Sequence, residues 1–296
     1  MVISVASGKG GTGKTTVAIN LALSLSEGCL NNVQLIDCDV EEPNCHLFLK
    51  PHIEKKFPVG IATPEVDESR CDYCGKCAEA CQFKALAVIK EGRSILYYKE
   101  LCHGCGACAY ICPSHAVKEK FEDIGFIEIG KVGDIEFIHG LLNIGKPMAV
   151  PIIRKQKGLI DRRKTVILDV QPGTSCPVVM AVGGTDFCLL VTEPTPFGLN
   201  DLKIAVEMTR KLSVPLGVVV NCSDIGDRKV WDYCNRENIP ILMEMPWNRR
   251  IAEAYSKGIP LVEEMPEYRE KFRLMYNQIE AIIEGTIPKS IAQTKN

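Results

Sequence analysis

Residues Gly8-Lys9-Gly10-Gly11-Thr12-Gly13-Lys14-Thr15 fit the pattern G-x-x-x-x-G-K-[ST] and follow directly on an apolar run, Val2-Ile3-Ser4-Val5-Ala6. Behind them Ala18, Leu21, Ala22 and Leu25 recur at helical spacing. A strand, a glycine-rich turn and a helix in that order make a phosphate-binding loop. The glycines let backbone N–H groups turn inward, and the helix offers its positive end to the anion. Gly8, Gly10, Gly11, Thr12, Gly13, Lys14, Thr15 and Thr16 are therefore the expected nucleotide contacts. Lys14 would reach the terminal phosphates and the Thr15 hydroxyl would ligate Mg²⁺. Such a loop needs a parallel α/β sheet to present it, which constrains the fold more than any other stretch.

Lys9 is not needed to cradle one nucleotide. With it, the stretch KGGTGKT resembles the deviant Walker motif of the MinD/ParA/nitrogenase-iron-protein family. The resemblance implies an ATP-dependent homodimer in which Lys9 reaches the phosphates of the other subunit. A solvated loop charge is the alternative.

Other segments carry the same resemblance. The apolar run Asn32-Val33-Gln34-Leu35-Ile36 ends at Asp37-Cys38-Asp39, where a strand's carboxyl end would face the ligand. It is similar to the family's switch I, which implies Asp39 as the residue that positions the attacking water and places Asp37 in the Mg²⁺ environment. Thr165-Val166-Ile167-Leu168-Asp169, followed by Val170-Gln171-Pro172-Gly173-Thr174, resembles Walker B and switch II. Asp169 would then hold Mg²⁺ through water, and Pro172 and Gly173 would respond to the γ-phosphate. Asn221, at the end of a strand, and Pro246-Trp247 resemble the adenine-side contacts. Cys176 stands where the nitrogenase iron protein has a cysteine that ligates a cluster between subunits, although a small buried residue is the simpler reading.

Between these segments the texture changes. Cys71-x₂-Cys74-x₂-Cys77-x₃-Cys81 is followed by Cys102-x₂-Cys105-x₂-Cys108-x₃-Cys112-Pro113. This is the bacterial two-cluster ferredoxin signature, in which the fourth cysteine of each run serves the other cluster. The signature implies Cys71, Cys74, Cys77 and Cys112 around one [4Fe–4S] cluster and Cys81, Cys102, Cys105 and Cys108 around the other. Gln82 replaces the proline after the first run, which removes a turn preference and no ligand. Structural zinc is the rival. The two runs flank an expected hairpin, with strands at 85–89 and 94–98 and a glycine turn. His103 reads as a neighbour of the iron site and not as a ligand.

The chain has 15 cysteines among 296 residues and a net charge of −2, from 35 basic and 37 acidic side chains. In a chain of this length that opens on a nucleotide loop, closely spaced cysteines read as metal ligands and not as disulfides. The balanced charge points away from nucleic acid. No signal-like segment and no run of 18 apolar residues is visible, so a cytoplasmic protein without a membrane span is expected.

The least legible stretch is 120–160. Short β-like pieces are expected at 126–129 and 148–150, and the basic residues Arg154, Lys155, Lys157, Arg162, Arg163 and Lys164 read as a solvated linker or a dock for an acidic partner. Pro51, Pro58, Gly60 and Pro64 mark a domain boundary. Residues 186–192, 215–220 and 239–243 read as strands, with a helix from 199 to 211. An amphipathic helix over 268–283 is expected to pack on the core.

The expected fold is α/β: a mostly parallel, doubly wound P-loop NTPase sheet (1–60 and 130–285) with an inserted α+β bacterial-type ferredoxin domain (65–118) and a polar tail (286–296). The whole resembles MinD-superfamily ATPases with an inserted ferredoxin domain, found in anaerobic bacteria and archaea. ATP/ADP, Mg²⁺ and two [4Fe–4S] clusters are the implied cofactors. Three functions fit: a dimeric ATP-driven switch that controls electron transfer to a redox partner, an iron–sulfur or metallocofactor carrier with an assembly partner, and a MinD/ParA-like spatial organiser. Fixed four-cysteine ligation favours the first.

Overall fold

The computed structural model describes residues 1–26 and 32–286; most of the expected tail, 287–296, lies outside the described residues. By its internal contacts the chain divides into two units, one of Met1–Lys56, Ile127–Leu141 and the chain from Ile153 on, the other of Phe57–Phe126 and Leu142–Ile152.

In chain order the elements begin with β1 (Val2–Ala6), α1 (Lys14–Ser26), β2 (Val33–Asp37), α2 (Cys45–Leu49) and β3 (His52–Val66). Next come α3 (Lys76–Ala80), β4 (Leu86–Ile89), β5 (Ser94–Tyr97), α4 (Ala107–Ile111), β6 (Val117–Val132) and β7 (Ile135–Leu142). They continue with α5 (Val150–Lys157), β8 (Thr165–Asp169), α6 (Cys176–Val182), β9 (Phe187–Thr192), α7 (Pro196–Lys211) and β10 (Leu216–Asn221). The last are α8 (Lys229–Arg236), β11 (Ile241–Met245), α9 (Arg249–Ser256), α10 (Leu261–Glu264) and α11 (Glu267–Ile283).

The sheet order is β11-β10-β9-β1-β8-β2-β7-β6-β3, and the seven strands from β11 to β7 run parallel. Every residue of β1, β2, β8 and β9 is buried. That explains why these strands read as continuous apolar runs: a parallel sheet is covered on both faces. On one face α1 and α11 pack Val17, Leu21, Phe272, Met275 and Ile279 into a common core. Helix α11 thus spends its apolar stripe on the core, as its pattern predicts. Register sets the chemistry. Asp37 stands opposite Asp169, and Asp169 opposite Val5, so three strands end side by side just where the phosphate loop begins.

One reading of the middle of the chain is corrected. The two units divide between Lys56 and Phe57, among the prolines expected at a boundary, and Pro58 and Pro64 lie there inside β3. It is the last strand of the sheet, and an edge strand tolerates residues that cannot donate. The expected β-like piece at 148–150 is overturned: Val150 opens α5, with Pro151 in the first turn, where a missing N–H costs nothing. Of the basic stretch, Arg154, Lys155, Arg162 and Arg163 are exposed, as a solvated face requires, while Lys157 and Lys164 are tied down. Lys157 Nζ donates to the carbonyls of Met180, Ala181 and Gly183 at the end of α6, and Lys164 pairs with Glu136.

In the second unit β4 and β5 form an antiparallel hairpin, with Leu86 opposite Tyr97. Its left-handed residue is Arg93 (φ 45°), not a glycine; its N–H closes back on the Lys90 carbonyl at 3.3 Å and its guanidinium lies 5.1 Å over the Tyr73 ring. Tyr73, Gly75 and Lys84 have φ values of 57°, 86° and 55°, and Gly104, Gly106 and His115 have 60°, 75° and 50°. These triplets hold the same places relative to the two cysteine runs, so the backbone, like the sequence, is given twice. Cys77, Leu86, Cys112, Ala116 and Val117 form the buried core of this unit.

Candidate functional site

In the first unit a cavity of about 460 Å³ lies against the phosphate loop, lined by Gly10, Gly11, Gly13, Lys14, Thr15 and Thr16, and also by Asp39, Pro172, Asn221, Pro246 and Trp247. Most of the sequence-expected nucleotide residues thus meet around one space; Gly8 and Thr12 do not line it. Gly13 has φ +91°, and a Cβ there would come within 2.7 Å of the Asn221 amide, so only glycine fits. A Cβ on Gly8 would run into the Asp201 carbonyl.

Lys14 and Asp39, on the cavity wall, belong to a compact charge cluster that continues into the buried Asp37 and Asp169. Lys14 Nζ lies 3.6 Å from Asp39 Oδ2 and 3.6 Å from Asp169 Oδ1. Thr15 Oγ1 donates to Asp169 Oδ2 at 2.7 Å. Both oxygens of Asp37 accept backbone N–H groups, Oδ1 from Asp39 (3.0 Å) and Oδ2 from Asn44 (3.1 Å) and Cys45 (3.0 Å). Burial, then the charge of Asp169, pushes Asp37 up to about 7. Burial also raises Asp39, against the pull of Lys14. For Lys14 itself burial works downward, but Asp169, Asp39 and Asp37 together reverse it and the ammonium is held above its ordinary value.

Sequence reasoning missed Cys45. Its Sγ donates to Asp169 Oδ2 at 3.4 Å, and Asp37, Cys45 and Asp169 bring one ligand atom each to within 4.8 Å of one another. Asp169 Oδ1 is buried without a hydrogen-bond partner. No spacing rule points from Asp39 to a cysteine six residues on; the short helix α2 brings it back.

Lys9 pairs with Glu193 of its own chain, Nζ to Oε2 at 3.1 Å. The Gly173 N–H donates to the Ser7 carbonyl at 2.9 Å, tying the stretch after Asp169 to the loop. Asn221 uses its amide inside the protein: Nδ2 donates to the Thr12 carbonyl at 3.0 Å and Oδ1 accepts from Cys222 N–H at 2.9 Å. Trp247 is 54% exposed and is held through its backbone N–H by Asp224 Oδ1 at 2.6 Å. Cys176 is exposed, at the start of α6.

In the second unit the eight cysteines of the two runs are all free thiols. Cys81, from the first run, lines one cavity together with Cys102, Cys105 and Cys108 of the second. Cys77 feels the charges of Cys112 and Cys71; after burial, the larger cause, they raise its pKa. Backbone N–H groups point at the sulfurs, from Tyr73 to Cys71 (3.4 Å), from Ala85 to Cys81 (3.3 Å) and from Ala116 to Cys112 (3.3 Å). At Cys112 burial works upward, but hydrogen bonds from Ser114, Val117 and Ala116 outweigh it and lower its pKa. Phe83 and His103, which border the same cavity as Cys81, stack with centroids 3.6 Å apart.

Residues 3–261 match the model of the CobQ/CobB/MinD/ParA nucleotide-binding domain. The chain belongs to that family. An uncharacterized protein of Methanocaldococcus jannaschii is 34% identical over 267 residues, 87% of this chain and 90% of the relative. An iron-sulfur cluster carrier protein of Pyrococcus abyssi is 25% identical over 280 residues, 88% of this chain and 78% of the carrier. Among solved structures, the septum site-determining protein MinD of Pyrococcus horikoshii, complexed with Mg-ADP, superposes with a TM-score of 0.58 at 19% identity, covering 97% of this chain and 98% of the other. This MinD/ParA-type chain is thus a nucleotide-binding P-loop ATPase by family, on a mostly parallel α/β sheet. Among the described residues no helix is long and apolar enough to cross a membrane.

Proposed function

We propose that this chain is an ATP-driven dimeric switch that carries two [4Fe–4S] clusters and controls electron transfer to a partner protein. One observation carries the reading: the thiols group across the two runs, Cys81 with Cys102, Cys105 and Cys108, and Cys112 with Cys77 and Cys71. Crosswise sharing is what two-cluster ligation requires. Cys74 completes the second set. A single zinc ion would draw its thiolates to within about 4 Å of one another, given Zn–S near 2.3 Å. Among the described residues no three cysteine sulfurs lie within 4.8 Å, which supports the larger cubane. Bound there, the clusters supply reversible one-electron storage.

The rest belongs to the chain's own residues. Gly8, Gly10, Gly11, Thr12 and Gly13 wrap the phosphates, Thr16 closes the first turn, and Lys14 neutralises the terminal oxygens. Thr15, Asp37 and Asp169 would hold Mg²⁺, which would draw charge from the phosphate oxygens; Asp169 Oδ1 accepts no hydrogen bond and faces the Lys14 ammonium at 3.6 Å. Asp39 positions the water that attacks the γ-phosphorus; the bond to the ADP oxygen breaks, and Lys9 from the partner subunit balances the charge that develops. Lys9 must leave Glu193 to do so, and Pro172 and Gly173 move with the γ-phosphate. Pro246, Trp247 and Asn221 border the adenine side, Asn221 by bracing the loop. This family context supports a homodimer as the working unit.

A second reading is that the chain hands a cluster on. The name of the Pyrococcus abyssi relative favours it, and so does the exposed Cys176, because a delivered cluster needs a shared, accessible ligand. Iron and sulfide analysis of anaerobically reconstituted protein, with electron paramagnetic resonance of the reduced form, tests the main reading. Eight irons per chain and two coupled signals are expected; four irons or fewer, or zinc in their place, overturns it.

A further inference from the structure

We propose that His46 and His139 form a binding site for a divalent first-row transition ion, separate from the Mg²⁺ carboxylates and the cysteine runs. His139, on β7, is 7% exposed, and its Nε2 meets Glu128 Oε2 at 2.7 Å. Lys56 Nζ holds the other oxygen of Glu128 at 2.9 Å, which keeps the carboxylate ionised and acceptor-only. Nε2 is then the donor to Glu128, and it is the neutral ring, with its lone pair on Nδ1, that can take a metal ion. That atom is buried and has no hydrogen-bond partner. Nor has the buried Nδ1 of His46, on α2.

Two orphaned imidazole nitrogens in neighbouring rings call for an occupant, since a buried polar atom without a partner loses its hydration and gains nothing in return. The ring centroids are 5.2 Å apart and tilted by 51°. Two imidazoles bound at about 2 Å to one tetrahedral ion have centroids about 5 Å apart. A carboxylate behind the distal nitrogen of a metal-binding histidine is the arrangement that orients such a ligand. Nitrogen donors select nickel, zinc, cobalt or copper over magnesium, with waters in the remaining positions. An ion there ties α2, whose first N–H groups hold Asp37, to the residue opposite Asp37 on β7.

The test uses untagged, cluster-loaded protein with Mg-ADP, titrated anaerobically with Ni²⁺ in a calorimeter, with nickel X-ray absorption on the same sample. One saturable equivalent with two imidazole nitrogens is expected. His46→Gln, on a partly exposed side chain, should weaken binding at least tenfold while leaving the iron content unchanged. Glu128→Gln should weaken it about 10- to 100-fold. No saturable uptake by the native chain, or unaltered uptake by His46→Gln, overturns the site; neither result bears on the clusters.

Discussion

Thr15 Oγ1 donates a 2.7 Å hydrogen bond to Asp169 Oδ2, joining the start of α1 to the end of β8 at the point where Lys14 and Cys45 also converge on that carboxylate. Asp169 is fully buried, so its charge is balanced only by what touches it. Asp169→Asn should lower the hydrolysis rate by about 10²- to 10³-fold, the scale of losing one preorganised electrostatic contact. Cys45→Ala removes a single neutral donor worth about 1 kcal/mol, and its rate should stay within about tenfold of the native one. Steady-state phosphate release separates the two; equal losses would mean that the thiol and the carboxylate act as one unit.

The Lys9–Glu193 pair is partly exposed on both sides, and such pairs contribute about 0–1 kcal/mol. Lys9→Ala should therefore shift Tm by no more than about 3 °C. If the lysine serves the partner subunit's phosphates, the same change lowers hydrolysis by about 10²-fold or more. Native activity per chain should also rise with protein concentration. Full activity in Lys9→Ala would remove the residue from the mechanism.

Asp37 has a folded-state pKa near 7, raised from 3.8. A carboxyl that holds its proton better when folded contributes stability at low pH and loses that contribution as pH rises toward 7. In Mg²⁺- and nucleotide-free protein, the Tm advantage of the native chain over Asp37→Asn should shrink between pH 5.5 and 7.5. A gap that widens over that range would contradict the burial argument.

Cys112 belongs to the second run by sequence and keeps company with Cys77 of the first. Cys112→Ser should cost the cluster of Cys71, Cys74 and Cys77 and spare the other, leaving about half the iron and one uncoupled signal. Loss of the Cys102, Cys105 and Cys108 cluster instead would reverse the assignment.

Much of this site is legible in the sequence because its parts are local. Gly8 to Thr16, Asp37, Asp39 and Asp169 each sit at the end of an apolar run, and the cysteine runs carry their own spacing. What the chain hides depends on neighbours distant in sequence. Cys45 matters only because α2 folds back on Asp169. The prolines sit around the division at Lys56/Phe57, but that they lie within a strand is hidden, because an edge strand cannot be told from a linker by its own sequence. Val150 looks like a strand residue because the helix it opens is held by Gln156, whose amide donates to the Asp37 carbonyl at 2.7 Å, a contact that no periodicity shows. Asn221 ends its strand at the cavity, as an adenine-side residue should, but that its amide also braces the Thr12 carbonyl shows only in the fold.

The decisive measurement is an anaerobic redox titration of the iron-loaded protein alone, with ADP, and with a non-hydrolysable ATP analogue, following the iron content in each sample. A switch that gates electron transfer shifts at least one cluster potential by tens of millivolts between the nucleotide states with iron retained, about 59 mV being tenfold for a one-electron couple. Identical potentials in all three states would contradict coupling between the nucleotide site and the clusters.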